Sequence, residues 1–487
     1  MSFRVNTEYN HPLSSHRGCN TRRFWDVRMI TQSMKSLSSA ESLGSSRSNL
    51  ERPRQGLVQI PNIHHSSGTP SDQIKSILQQ LSTLLEAWNL DASSLVSTIL
   101  LLRSMGDFTL LNPIYGSFFT TPNPPSRVTI SCRDRLPPGV DVVLSATVDL
   151  GERKERQGLH VQSRSYWAPA NIGPYSQAIS VPFEPLPSPK KSDEQTTEEF
   201  DQEEIDSQFT IPRPRIIHIA GQIPLIPSSM EIITSNLLPF TTTNTSKGRD
   251  FIAQTVLSLQ HLFRIARAMD AQSFTGALAF ISSCPPSEGN IRATIAIKAW
   301  KESHQQALTS QTNADEEADQ DDDDNEEVDI WDLRNRNFPF QAHAPGKGRK
   351  QIVDTRSPIP DYSALKRTAL PLIPPVFVAQ VAELPRGADI EWFSNGLSNL
   401  VPLMESPQVW LPIHSMKELV VPAVKEGVRS EYTLYTTRDV PAVLMNLNSI
   451  VIPCYRVWCD REVGDGDGDD DGAVEIEGVV GIRHYQI

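Results

Sequence analysis

The order strand, helix, strand, helix, strand, strand is written twice along this chain. Each time the last two strands are separated by the same kind of turn, Leu136-Pro137-Pro138-Gly139 first and Leu384-Pro385-Arg386-Gly387 second. An internal duplication of this sort restricts the chain to small α+β units, because each sheet must bury one face under its own two helices. In the first unit, Leu57, Val58 and Ile60 read as a strand. Thr69 or Ser71 then caps a helix whose Ile74, Ile77, Leu78, Leu81, Leu84, Leu85 and Trp88 recur at helical spacing. A β-rich run at 95–102, a helix at 105–119 and strands at 128–130 and 140–148 follow. In the second unit the strands are read at 178–181, 216–220, 278–281, 377–381 and 388–393. A helix at 251–269 carries an apolar side that includes Ile252, Leu259, Leu262 and Phe263, and a second helix lies at 291–302.

Four biased segments divide the 487 residues: a Ser- and Arg-rich leader at 1–55, acidic insertions at 185–214 and 303–360, and an acidic loop at 465–472. Like charges in such blocks repel one another, and the blocks hold too little apolar surface to offset the entropy of ordering, so they read as solvated segments. The expected organisation is a first domain at 56–150 with a degenerate N-terminal strand, a second at 164–397 carrying both insertions, and a strand-rich extension at 398–487. Runs at 409–413, 432–436 and 449–457 are the extension's strand candidates. A net charge of −13 disfavours nucleic acid and anionic lipid as partners. No apolar run reaches the eighteen residues of a membrane span. Cys19, Cys132, Cys284, Cys454 and Cys459 are scattered and odd in number, which fits a reducing compartment, and a cytoplasmic location is expected.

Two stretches are far more specific than any periodicity. One is Ser165-Tyr166-Trp167-Ala168-Pro169-Ala170-Asn171-Ile172-Gly173-Pro174-Tyr175-Ser176-Gln177-Ala178-Ile179, and it is followed by Ile219-Ala220-Gly221-Gln222-Ile223-Pro224-Leu225. The other comprises Asp107 to Tyr115 with Asn112 at its centre, Pro124-Pro125-Ser126-Arg127 and Arg135 to Val140. Together they resemble the RidA (YjgF-like) family, in the tandem form found in the C-terminal half of fungal diphthine-ammonia ligases. The resemblance implies two β-β-α-β-α-β domains of chorismate-mutase-like fold, assembled as a trimer or, with the extension, as a pseudo-trimer within one chain. In active members an arginine grips the carboxylate of an imine or enamine acid while water cleaves the C=N bond. By resemblance that arginine is Arg127, with Tyr175, Gly221 and Asn112 as its binding companions. Guanidinium suits the task because it holds a carboxylate bidentately and stays charged.

The pattern also departs from the family's. The position matching Arg127 in the second copy is Val376, and the acid of the last strand falls on Ser145 in the first copy and Phe393 in the second. Neither side chain does acid-base work. The diphthine-ammonia ligases use ATP, whose phosphates lie on a Gly-rich loop; this sequence has no Gly-Gly pair, and no cofactor is visible in it. The expected role is therefore the accessory or binding half of that ligase in diphthamide formation, with elongation factor 2 or a separate ATP-binding half as partner. A small carboxylate is a possible ligand. The alternatives are a stand-alone imine or enamine deaminase and an interaction platform outside that pathway. No metal is expected: His64-His65 lacks ligands at the right spacing, and the 467–472 run imitates only the first half of a calcium loop.

Overall fold

In a computed structural model of the chain, the described residues are 56–171, 173–184, 213–234, 246–314, 373–400, 406–417, 428–438, 449–461 and 472–486. The leader, most of both acidic insertions and most of the 465–472 loop lie outside them. The first unit runs β1 (Leu57–His64), α1 (Pro70–Ala87), β2 (Leu95–Leu102), α2 (Phe108–Ser117), β3 (Ser126–Ser131) and β4 (Val142–Asp149). Helix α1 starts where a capping box forms: the Thr69 hydroxyl accepts from the Asp72 amide, and the Asp72 carboxylate accepts in return from the Thr69 amide. Its Ile74, Ile77, Leu78, Leu81 and Leu85 are buried on the sheet, each contributing roughly 1.5–3 kcal/mol.

The second unit contains β5 (Gln157–Leu159), β6 (Ala178–Pro182), β7 (Arg215–Ile219), α3 (Ser246–Ala268), β8 (Ser273–Ile281), α4 (Pro286–Ala314), β9 (Val376–Gln380) and β10 (Ile390–Ser398). Trp300 and Trp392 stack between its helices and sheet with centroids 5.8 Å apart. Ile252, read as part of the apolar stripe of α3, faces solvent instead. The extension adds β11 (Gln408–Ile413), β12 (Val428–Thr436), β13 (Ser449–Pro453), β14 (Arg456–Asp460), β15 (Ala473–Ile476) and β16 (Gly478–Gln486).

Three sheets of one topology result. The first is ordered β1-β4-β2-β3, with two antiparallel pairings and a parallel β2–β3 pair. The second repeats this as β7-β10-β8-β9, widened by β6 and β5 beyond one edge and by β14 and β15 beyond the other. The extension repeats it again as β11-β16-β12-β13, with β12 and β13 parallel. It is thus a third copy of the sheet. In it, residues 414–427 link β11 to β12 and residues 437–448 link β12 to β13 in chain order, and among the described residues it contributes strands only. The inner faces of the three sheets meet in one apolar core that includes Leu101, Ile130, Leu278, Phe377, Tyr435 and Ile452. A pseudo-trimer is therefore closed within a single chain.

Hydrogen bonds fasten each seam. The Ser131 and Ala382 amides join the first copy to the second, donating to the carbonyls of Glu383 and Ser131. Trp410 donates its indole N–H to the Thr275 carbonyl at 2.8 Å between second and third. Asn62 donates to the Ser449 carbonyl and accepts from the Val451 amide between third and first.

Candidate functional site

The first two copies meet along β3, and four elements converge at its start. Arg127, the second residue of β3, is 6% exposed. Its Nη1 donates to Asn112 Oδ1 of α2 at 2.8 Å. Its guanidinium lies over the rings of Tyr115 (4.8 Å), Phe108 (5.3 Å) and Tyr175 (5.3 Å). Residues 173–176 pass close over it: a Cβ on Gly173 would come within 2.8 Å of Arg127 Nη2, so a side chain there would force the guanidinium to shift. Asn171 Nδ2 ties the loop by donating to the Tyr175 carbonyl at 2.7 Å.

The glutamines of the two motifs set the opposite wall. Gln177 Nε2 donates to the Pro169 carbonyl, and Gln222 Nε2 to Gln177 Oε1. Gln222 and Trp392 exchange backbone hydrogen bonds at 2.8 and 2.9 Å, which fixes β10 beside the 220–222 strand end. This places Glu391 against Gly221. The fit is so close that a Cβ at 221 would lie 1.7 Å from Glu391 Oε1. Glu391 is 2% exposed, and its Oε2 has no hydrogen-bond partner. Burial pushes its carboxyl up to about 8, against a smaller opposing pull from Arg127. Burial likewise lowers the proton affinity of Arg127, partly offset by Tyr115, Tyr175 and Glu391. The two groups feel each other's field, yet among the described residues they form no ion pair. A buried guanidinium and a buried carboxyl that is largely protonated near neutral pH therefore lie at one seam, one from each copy.

The structure thus brings Arg127, Asn112, Tyr175 and Gly221 together, and it corrects the expectation that the last strand of the second copy offers no acid. The acid of the last strand is Glu391, two residues before Phe393 and so on the same face of β10; Phe393 packs instead against the central core. Ser145 accepts from the Asn62 amide at 2.9 Å in another seam. The Gly221 amide donates to the Arg127 carbonyl at 3.1 Å, tying the two copies together. It locks the seam, and the glycine's contribution is room for the carboxyl. A lone glutamate in the apolar run Ile390-Glu391-Trp392-Phe393 was the available signal, since buried carboxylates are rare without a task.

The other seams differ at matching positions. Strand register equates Arg127 with Val376 and Ser449, and Glu391 with Val143 and Val479. Trp410 also lies so close over the second seam that a Cβ on Gly276 would meet its Nε1 at 2.4 Å. Among the described residues no group of His, Cys, Asp and Glu is arranged to hold a metal. No described helix is long and apolar enough to cross a membrane.

The profile of the family described as Endoribonuclease L-PSP matches residues 59–149. The diphthine-ammonia ligase of Schizosaccharomyces pombe is 30% identical over 237 residues, 49% of this chain and 30% of its own. That of Saccharomyces cerevisiae is 30% identical over 254 residues, 50% of this chain and again 30% of its own. The matched region thus spans about a third of those ligases. A RutC family protein of Sinorhizobium fredii is 33% identical over 85 residues, 18% of this chain and 66% of its own. Among solved structures, a YjgF family protein of Neisseria meningitidis covers 21% of this chain and 88% of its own at 20% identity and a TM-score of 0.18. Residues 59–149 are therefore a domain of the RidA/YjgF family, in a chain that over about half its length is similar to fungal diphthine-ammonia ligases.

Proposed function

We propose that the cleft between the first two copies hydrolyses a small imine or enamine acid to the corresponding keto acid and ammonia. The observation that carries this reading is the pairing of buried Arg127 with buried, hydrogen-bond-deficient Glu391 across one seam. Arg127 takes the substrate carboxylate, while Asn112 and the three rings hold the guanidinium flat. Glu391, protonated near neutral pH, gives its proton to the imine nitrogen, and water adds to the carbon. The resulting carboxylate takes a proton from the added water. The carbinolamine then collapses with loss of ammonia, so that C=N plus water becomes C=O plus NH3. A carboxyl that titrates near the working pH can serve in both directions.

The similarity to diphthine-ammonia ligases supports a second layer to this reading. Those relatives are named for consuming ammonia, and the cleft releases it. On this reading the chain serves diphthamide formation as the ammonia-releasing accessory of an ATP-dependent ligase half, with elongation factor 2 as the substrate of that half. The test is ammonia and keto-acid release from an imine generated in place by an amino-acid oxidase. The wild-type chain is expected to outpace spontaneous hydrolysis and Glu391→Gln to fall to the background. Wild-type turnover no faster than the background would overturn the proposal.

A further inference from the structure

Glu391 is not the seam's one buried polar group without a partner. Ser176, just ahead of β6, is 0% exposed, and its hydroxyl makes no hydrogen bond. Backbone contacts place it at the same seam. Its amide donates to the Pro125 carbonyl at 3.3 Å, on the stretch of chain whose Arg127 carbonyl takes the Gly221 amide. The β6–β7 ladder pairs Ala178 with Ile219, and it continues where the Ala220 amide donates to the Gln177 carbonyl at 2.8 Å. One step further, the same register sets Ser176 opposite Gly221.

Residues directly opposite in an antiparallel ladder turn their side chains to one face, with Cβ atoms about 4.5–5.5 Å apart. At Gly221 that face belongs to Glu391, since a Cβ there would lie 1.7 Å from Glu391 Oε1. The Ser176 side chain is thus directed to the face that holds the carboxyl. The neighbouring glutamines obey the same alternation: Gln177 and Gln222 bond to each other on the other face, where Gln222 pairs with Trp392. A hydroxyl and a carboxyl oxygen, both buried and both unbonded, are costly to keep side by side unless a molecule with O–H groups bridges them.

We propose that Ser176 is a further catalytic residue, which together with Glu391 holds the water that adds to the imine carbon. This rests on the hydrolytic reading of the Arg127–Glu391 pair. Ser176 Oγ accepts one hydrogen of the water and the unprotonated oxygen of Glu391 accepts the other, leaving a lone pair free to form the C–O bond. The π pair of C=N moves to nitrogen, which takes the Glu391 proton. The carboxylate so formed takes one proton from the added water, and Ser176 exchanges none.

The test is Ser176→Ala in the full 487-residue chain, assayed with the imine generated from alanine by an amino-acid oxidase. Its kcat should fall on the order of 10²-fold, the scale of a mispositioned reactant, while KM stays at the wild-type value because Arg127 still takes the carboxylate. An undiminished kcat, or a loss confined to KM, would overturn the assignment of Ser176 and leave the hydrolytic reading standing. A wild-type chain no faster than the background would remove both. If Ser176→Ala does not fold, a crystal structure of the wild-type chain decides: one ordered water bonded to both Ser176 Oγ and the Glu391 carboxyl supports the proposal, and a direct Ser176–Glu391 hydrogen bond with no water between them overturns it.

Discussion

Three seams are built from one strand pattern, and they have been put to different uses. Between the first and second copies the matching positions hold Arg127 and Glu391, with Gly173 lying against the guanidinium and Gly221 against the carboxyl. Between the second and third they hold Val376 and Val479, and Trp410 covers the gap with an indole bonded to the Thr275 carbonyl. Between the third and first they hold Ser449 and Val143, and Asn62 laces the backbones together. A homotrimer must keep whatever one seam needs in all three. A duplicated chain is free of that constraint, so two seams serve closure and one keeps the polar pair.

The comparison can be broken most decisively at the cleft. Gly221→Ala places a methyl carbon where Glu391 Oε1 now lies, and should reduce imine hydrolysis by a factor on the order of 10³, the scale of losing a general acid-base. Near-normal turnover in that variant would mean that the Gly221–Glu391 contact has no catalytic meaning. In the Trp410 seam the opposite pattern is expected. Trp410→Ala should cost about 3 kcal/mol in denaturant unfolding while leaving turnover unchanged. A matching loss of activity would show that the seams are not functionally separate.

A pH-dependent effect of similar size follows from linkage. Glu391 is raised in the folded state from 4.5 to about 8, so the native protein binds this proton more tightly than the unfolded chain. Its contribution is therefore greatest at low pH and declines as pH rises through that window. Relative to wild type, Glu391→Gln should gain roughly 3.5 kcal/mol between about pH 5 and about pH 8, read from paired unfolding curves. A pH-independent difference would place Glu391 in a more solvated setting. The smallest effect expected is in turnover by Val376→Arg: restoring the arginine to the second seam should create no activity, because Trp410 fills the space and Val479 supplies no acid. Any added turnover would mean that the covered seam can open.

Much of this was legible in the sequence. The two apolar helix faces, the repeated Leu-Pro-x-Gly turn and the Gly-Pro-Tyr-Ser-Gln-Ala run announced two α+β units, and Arg127, which the structure buries beside Asn112 and Tyr175, could be singled out as a candidate. Glu391 was obscured because strands repeat every two residues. A carboxyl displaced from position 393 to 391 keeps its face but escapes a position-by-position comparison. The third copy was hidden for another reason. Its strands were visible, but the first two copies are recognised chiefly by their helices and signature loops, and the extension's connections at 414–427 and 437–448 are short. Its identity lies in pairing, in the parallel β12–β13 contact and the return of β16, which no local pattern encodes.

The central claim is that one residue from each of two copies makes a single site, and a kinetic double-mutant cycle on Arg127 and Glu391 addresses it most directly. Ammonia release would be measured for the wild type, Arg127→Ala, Glu391→Gln and the double variant, with unfolding curves confirming that each remains folded. If the two act as one unit, each single substitution should cost nearly as much as both together. Losses that simply add, or single variants that keep wild-type turnover, would contradict the account.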